Sequence, residues 1–123
     1  MQNSEIYKQH ILDHYNNPRN KEEMYKPTVS VPAKNASCGD SYILYLAIEN
    51  KRITQATFSG VGCAVSQAAA SLLTEKLTGM DVEEARALIE EDMYAMLGIE
   101  ISLGRQKCAL LLFRGLEEAL RNL

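Results

Sequence analysis

Apolar residues recur every three or four positions in "SEIYKQHILDHYNNPRN", where Ile6, Tyr7, Ile11, Leu12 and Tyr15 fall together. That spacing predicts a helix, with Ser4 available as its cap and Pro18 closing it after an asparagine pair. The period then drops to two. Val29, Val31 and Ala33 alternate with Thr28, Ser30 and Pro32. A proline has no N–H for a ladder, so this strand belongs at a sheet edge. In "SYILYLAIE", Tyr42, Leu44, Leu46 and Ile48 share one face, and only Asn50 and Lys51 separate this run from "RITQATFSG". The two arms read as a hairpin. Its second arm is less regular, because Ile53 and Phe58 fall on opposite faces, which leaves room for a β-bulge.

From Ala64 the helical period returns. Val65, Ala69, Leu72, Leu73 and Leu77 predict a helix that ends at Gly79, a residue suited to a left-handed cap. Asp81 and Glu84 form a D-x-x-E start for a second, acidic helix carrying Val82, Ala85, Leu88, Ile89 and Met93. "LGIEISLG" has no period and reads as a loop. A last helix from about Arg105 turns Cys108, Leu111, Leu112 and Leu116 inward and Arg114, Glu117, Glu118 and Arg121 outward. Strands early and helices late predict an α+β fold, a small antiparallel sheet of about three strands with helices on one face. No repeat or linker divides the chain, so residues 1–123 are expected to form one domain.

Composition narrows the possibilities. With 123 residues, 46% of them hydrophobic and 24% charged, the chain is long enough for one real core. A net charge of −3 and the lack of a basic stripe give no reason to expect nucleic acid. The longest apolar run, near "CALLLF", is far too short to span a membrane. "MQNSEIYKQH" lacks the basic head and apolar core of a secretory signal, so the expected address is cytoplasmic. Three cysteines cannot form a complete disulfide framework, and in a reducing compartment they read as core filler, metal ligands or nucleophiles.

Each cysteine falls at the boundary of an element. Cys38 lies in "NASCGD", just before the second strand and two residues from Asp40. That stretch is either a tight turn, with Gly39 at positive φ, or a thiolate and a carboxylate presented together. Cys63 follows Gly60 and Gly62 at a helix start, and Cys108 lies in the first turn of the last helix, after Arg105 and Lys107. Thiolates are favoured near helix N-termini and beside cations, so both look like low-pKa sites. Taken singly, each is equally well a small apolar residue in an amphipathic helix. His10 and His14 stand i, i+4 on the first helix without a third ligand nearby, and read as a solvated or capping pair. Arg19 reads as a surface arginine, and Tyr42 and Tyr45 as strand residues needing no further role.

Four segments in order, "NNPRN", "NASCGD", "GVGCAVSQAAASLLTE" and "RQKCALLLF", cover almost the whole chain. Together they resemble the U-type iron–sulfur cluster assembly scaffold family, IscU and SufU and the N-terminal part of NifU. The resemblance implies that the three cysteines meet at one end of the α+β fold, with Cys38, Asp40, Cys63 and Cys108 as metal and cluster ligands. Three thiolates and a carboxylate suit tetrahedral zinc, and the thiolates equally suit iron in a nascent cluster. The implied role is a scaffold or carrier rather than a stand-alone enzyme. It takes sulfur from a cysteine desulfurase, adds iron, builds a transient [2Fe–2S] cluster and passes it to apo iron–sulfur acceptor proteins. The isolated protein is expected to hold zinc.

Two alternatives stay open. One is a zinc-dependent sulfurtransferase of the SufU type, with Cys108 or Cys38 accepting persulfide sulfur; the other is a structural zinc module that only binds partners. Lys107 stands where IscU has a histidine, as in SufU, and beside Arg105 it is expected to stabilise the Cys108 thiolate. The loop "GIEISLGRQK" lacks the Leu-Pro-Pro-Val-Lys segment of IscU, which argues against transfer by a dedicated Hsp70-type chaperone. SufU proteins commonly carry an extra segment before the last cysteine, whereas only 44 residues separate Cys63 from Cys108 here.

Overall fold

The computed structural model describes residues 3–36, 39–121 and 123. Helix α1 (Asn3–Asn16) leads into an antiparallel sheet of β1 (Val29–Asn35), β2 (Asp40–Glu49) and β3 (Arg52–Val61), in the order β1-β2-β3. Helices α2 (Ala64–Leu77), α3 (Val82–Arg86), α4 (Glu90–Leu97) and α5 (Gln106–Arg121) follow, with a short 3₁₀ turn at Leu103–Arg105 leading into α5. This is the α+β architecture expected from the order of periods.

Register in the sheet follows the alternation of side chains. Val31 pairs with Leu44 and Ala33 with Tyr42, and all four are buried. Asn50 and Lys51 both take positive φ, 52° and 64°, the primed geometry whose twist suits a two-residue hairpin. The irregularity in β3 is a bulge. Ile48 pairs with Ile53 but Ala47 with Gln55, so Thr54 is the extra residue. Counting past it returns Ala56 and Phe58 to the face of Ile53, and all three are fully buried.

Both sheet edges are occupied or interrupted. β1 carries Pro32 in its middle. Along β3, the N–H of Phe58 donates to the Asn20 carbonyl, and the chain after α2 covers the other end: Ile53 N–H donates to Met80 and Gly79 N–H to Ile53.

Helix α2 is the centre of the packing, buried from Ser66 through Thr74 and again at Leu77. Ala68, Ala69, Ala70 and Ser71 keep its girth small, so α1, α4, α5 and the sheet all reach it. Among the described side chains of α1, Ile11 and His14 turn inward, while Leu12 is 52% exposed. The expectation of a solvated or capping pair fails at His14. His14 is buried, with Nδ1 2.7 Å from Ser71 Oγ, and the same oxygen accepts the Arg19 N–H at 2.8 Å. Arg19 itself pairs with Asp13 at the surface.

The acidic helix expected from Asp81 is two helices. Asp81 and Glu84 form the expected capping box on α3, but Ala87 closes that helix by donating back to Glu83 and Glu84. Ile89 is extended, and its N–H is taken by the Asp92 carboxylate at 2.8 Å, which restarts the chain as α4. The change of direction buries Met93 and Leu97 and leaves Ile89 exposed. Among the described residues no helix is long and apolar enough to cross a membrane.

Candidate metal centre

Three element ends converge at one end of the sheet. Asp40 opens β2 on the same face as Tyr42, Leu44 and Leu46, and is 3% exposed. Cys63 is the N-cap of α2, with φ −72° and ψ 172°, and its Sγ accepts the Ser66 N–H at 3.5 Å. Cys108 lies in the first turn of α5 and is 1% exposed. One donor atom from each of the three lies within 4.8 Å of the others. Cys38 lies outside the described residues.

Cys63 is held from several sides. Its N–H donates to Asp40 Oδ1 at 3.1 Å, and its Sγ is 3.9 Å from Oδ2. Its carbonyl accepts the Ser66 hydroxyl at 3.1 Å and the Gln67 N–H at 3.0 Å. Burial pushes the Cys63 thiol up and the Asp40 charge adds to that push. Hydrogen bonds from Ser66, backbone and side chain, and from Cys108 outweigh both and hold it below its ordinary value. The N-terminal end of α2 favours the anion further.

Glycines make the approach possible. Gly60, opposite Tyr42 in the ladder, has φ 123°, and a Cβ there would stand 2.1 Å from the Ser41 carbonyl oxygen. At Gly62 a Cβ would lie 2.3 Å from both the Ser66 and the Tyr42 hydroxyl oxygens and 2.9 Å from Asp40 Oδ1.

Tyr42 is the neighbour that the sequence reading passed over. It is a strand residue as expected, 2% exposed, with its ring edge-on to Phe58. Its hydroxyl also reaches Ser66 Oγ at 2.8 Å. Burial, and then the negative charge of Asp40, Cys63 and Cys108, push the phenol up to about 12 against the Ser66 hydrogen bond. Two signals pointed here: the two-residue step from Asp40 along one strand face, and Ser66 three residues after a helix N-cap.

Lys107 is exposed and lines a groove of about 560 Å³ with Lys34, Ala36, Tyr94, Leu110 and Arg114. Arg114 is paired there with Glu90 and Glu117.

A buried thiol, a half-buried one and a buried carboxylate are a donor set for a soft or borderline cation. A closed zinc tetrahedron with Zn–S bonds of ~2.3 Å has edges of roughly 3.7 Å. The observed spread of up to 4.8 Å is about an ångström wider, within reach of side-chain rotation. The residues fit a thiolate metal site, presented by the ends of a hairpin and two helices.

Fold and site together define a small α+β domain with cysteines and an aspartate gathered at element ends. The chain belongs to the NifU-like N-terminal domain family, whose pattern it matches over residues 6–122. It is 35% identical to the iron–sulfur cluster assembly scaffold protein IscU of Thermotoga maritima, over 96% of this chain and 94% of that one. It is 32% identical to the zinc-dependent sulfurtransferase SufU of Bacillus subtilis, over 92% and 88% respectively. The fold superposes with a TM-score of 0.77 on the crystal structure of a proposed SUF-system iron–sulfur cluster assembly scaffold from Fervidobacterium islandicum. That protein is 30% identical, with 98% of this chain and 99% of that one covered.

Proposed function

We propose that this chain is an iron–sulfur cluster assembly scaffold, on which sulfur from a cysteine desulfurase meets iron to form a transient [2Fe–2S] cluster for apo-protein acceptors. The observation that carries this is the convergence of Asp40, Cys63 and Cys108 within 4.8 Å. Cys38, two residues before Asp40, is the fourth ligand in this proposal. A thiolate accepting sulfur attacks the outer sulfur of the donor's persulfide. A new S–S bond forms, the old one breaks, and the donor's cysteine leaves as a thiolate. Reducing the delivered sulfur to sulfide draws electrons from an outside donor. Such chemistry needs reduced thiols, which assigns the protein to the cytosol.

A second reading has one feature in its favour. An exposed Lys107 precedes Cys108, where a histidine would offer a further ligand. An ammonium cannot coordinate, so it suits a zinc-dependent sulfurtransferase in which Cys108 or Cys38 accepts persulfide sulfur. In that case zinc would be held by Asp40 and the cysteines and would supply a stabilised thiolate. Cys108 is 1% exposed, so a donor gains access only when the structure around it opens.

Anaerobic purification with and without iron and the desulfurase, followed by metal analysis and visible spectra, separates the two. Cluster absorption that transfers to an apo-acceptor supports the scaffold. Retained zinc with persulfide on the chain, and no cluster, supports the transferase.

A further inference from the structure

The hydrogen bonds around Cys63 run on past it into the sheet. The Ser66 hydroxyl lies 3.1 Å from the Cys63 carbonyl, which can accept its hydrogen. The Tyr42 hydroxyl stands 2.8 Å from the same Ser66 oxygen, and either of the two can donate. One chain of hydrogen bonds therefore links the Tyr42 hydroxyl, Ser66 Oγ and Cys63. Ser66 also donates its own N–H to Cys63 Sγ. Tyr42 thus grips the residue that holds the thiol at both its backbone and its sulfur. The phenol oxygen is admitted because position 62 has no side chain; a Cβ there would occupy its place, 2.3 Å from it and 2.9 Å from Asp40 Oδ1.

We infer that Tyr42 is a positioning residue for the metal site, acting through Ser66 to hold the Cys63 thiolate towards Asp40 and Cys108 before a metal arrives. A buried tyrosine whose hydroxyl merely needs a partner could be satisfied by any acceptor. This one is satisfied by the serine whose N–H is given to the sulfur of the site's central cysteine. The inference rests on the metal-handling role proposed above. Partners one bond removed from a ligand commonly change metal affinity 10- to 100-fold when lost, which sets the scale expected here at roughly tenfold.

Cobalt(II) is the probe, titrated into anaerobic, metal-free protein while the thiolate-to-metal and ligand-field bands are recorded. Wild type should take about one ion per chain with a tetrahedral thiolate spectrum. Tyr42→Phe should keep that stoichiometry, bind roughly tenfold more weakly and shift the ligand-field bands. Ser66→Ala should do the same, and the double variant should be no weaker than Ser66→Ala alone. Phe58→Leu loosens the packing of the Tyr42 ring but keeps both hydroxyls, so it should bind cobalt as wild type does. Wild-type spectra without thiolate bands would overturn the metal-handling role and this inference with it. Normal wild-type binding with an unchanged Tyr42→Phe spectrum and affinity would overturn this inference alone. So would additive losses in the double variant, or a loss in Phe58→Leu equal to that in Tyr42→Phe.

Discussion

The backbone N–H of Cys63 donates to Asp40 Oδ1 across 3.1 Å, so one carboxylate both faces the thiols and fixes the start of α2. Replacing it would therefore confound two roles, and Asp40→Asn separates them. The amide oxygen can still accept from Cys63, whereas Asp40→Ala leaves a part-buried donor without its partner, at a cost of up to about 1–3 kcal/mol. The alanine variant should be destabilised by that margin in urea unfolding and the asparagine variant much less. Both should retain an assembled cluster longer and release it more slowly, since a hard carboxylate is a weak partner for iron in a sulfide cluster. Transfer at the wild-type rate would reduce Asp40 to a structural cap.

Metal content tests the site directly. Aerobically purified protein should carry about one zinc per chain, the stoichiometry of a single tetrahedral site. Cys63→Ser, which removes a thiolate while keeping a capping oxygen, should lose most of it. Undiminished zinc in that variant, measured by elemental analysis, would place the metal elsewhere.

Gly62 has no room to grow. Alanine there would put a methyl 2.3 Å from two hydroxyl oxygens. Relief requires Tyr42 and Ser66 to part, so Gly62→Ala should lower stability by about 1–3 kcal/mol, the usual range for overpacking, and weaken metal binding as well. Thermal unfolding and cobalt titration measure the two effects; a variant with wild-type values in both would show that the hydroxyls can part freely.

Lys107 is exposed and lines a groove with Lys34 and Arg114. Lys107→Ala should leave metal stoichiometry intact and slow sulfur uptake from the desulfurase, measured as persulfide on the chain. A loss of metal would make the lysine part of the site's architecture, and unchanged uptake would leave it a surface charge.

His14 predicts a pH dependence. Burial, and then the nearby Arg19 and His10, lower its pKa below 6.5. The folded state then binds fewer protons than the unfolded chain, so this contribution is fully present above the unfolded pKa of about 6.5. It is lost progressively as pH falls from there towards the folded value. Urea midpoints at pH 7.5 and 5 should therefore fall further for wild type than for His14→Gln. Equal falls would mean that His14 is not the group responsible.

The strands were legible because a period of two leaves little choice of face, and Asn50-Lys51 announced the turn. Even the irregular arm of the hairpin was visible as a clash of phase between Ile53 and Phe58. The break between α3 and α4 was not, because Leu88 and Ile89 preserve helical spacing and Asp92 acts only through its side chain. His14 escaped for a related reason: what buries it is Ser71, 57 residues away. Cys63 and Cys108 could be singled out from their places at helix starts, and Asp40 from its strand. The depth at which Tyr42 and Ser66 meet behind them depends on packing between elements, which no local pattern encodes.

The two edges of the sheet have a consequence for company. A visiting strand would meet a missing donor at Pro32 on one side, and on the other a backbone already engaged by Asn20, Gly79 and Met80. In the proposed scaffold role, partners that arrive, take a cargo and leave would thus be kept from zippering onto the ladder, where release would mean breaking a row of main-chain bonds. Recognition is left to side chains and helix ends, and traffic at the cysteines need not compete with self-assembly of the sheet.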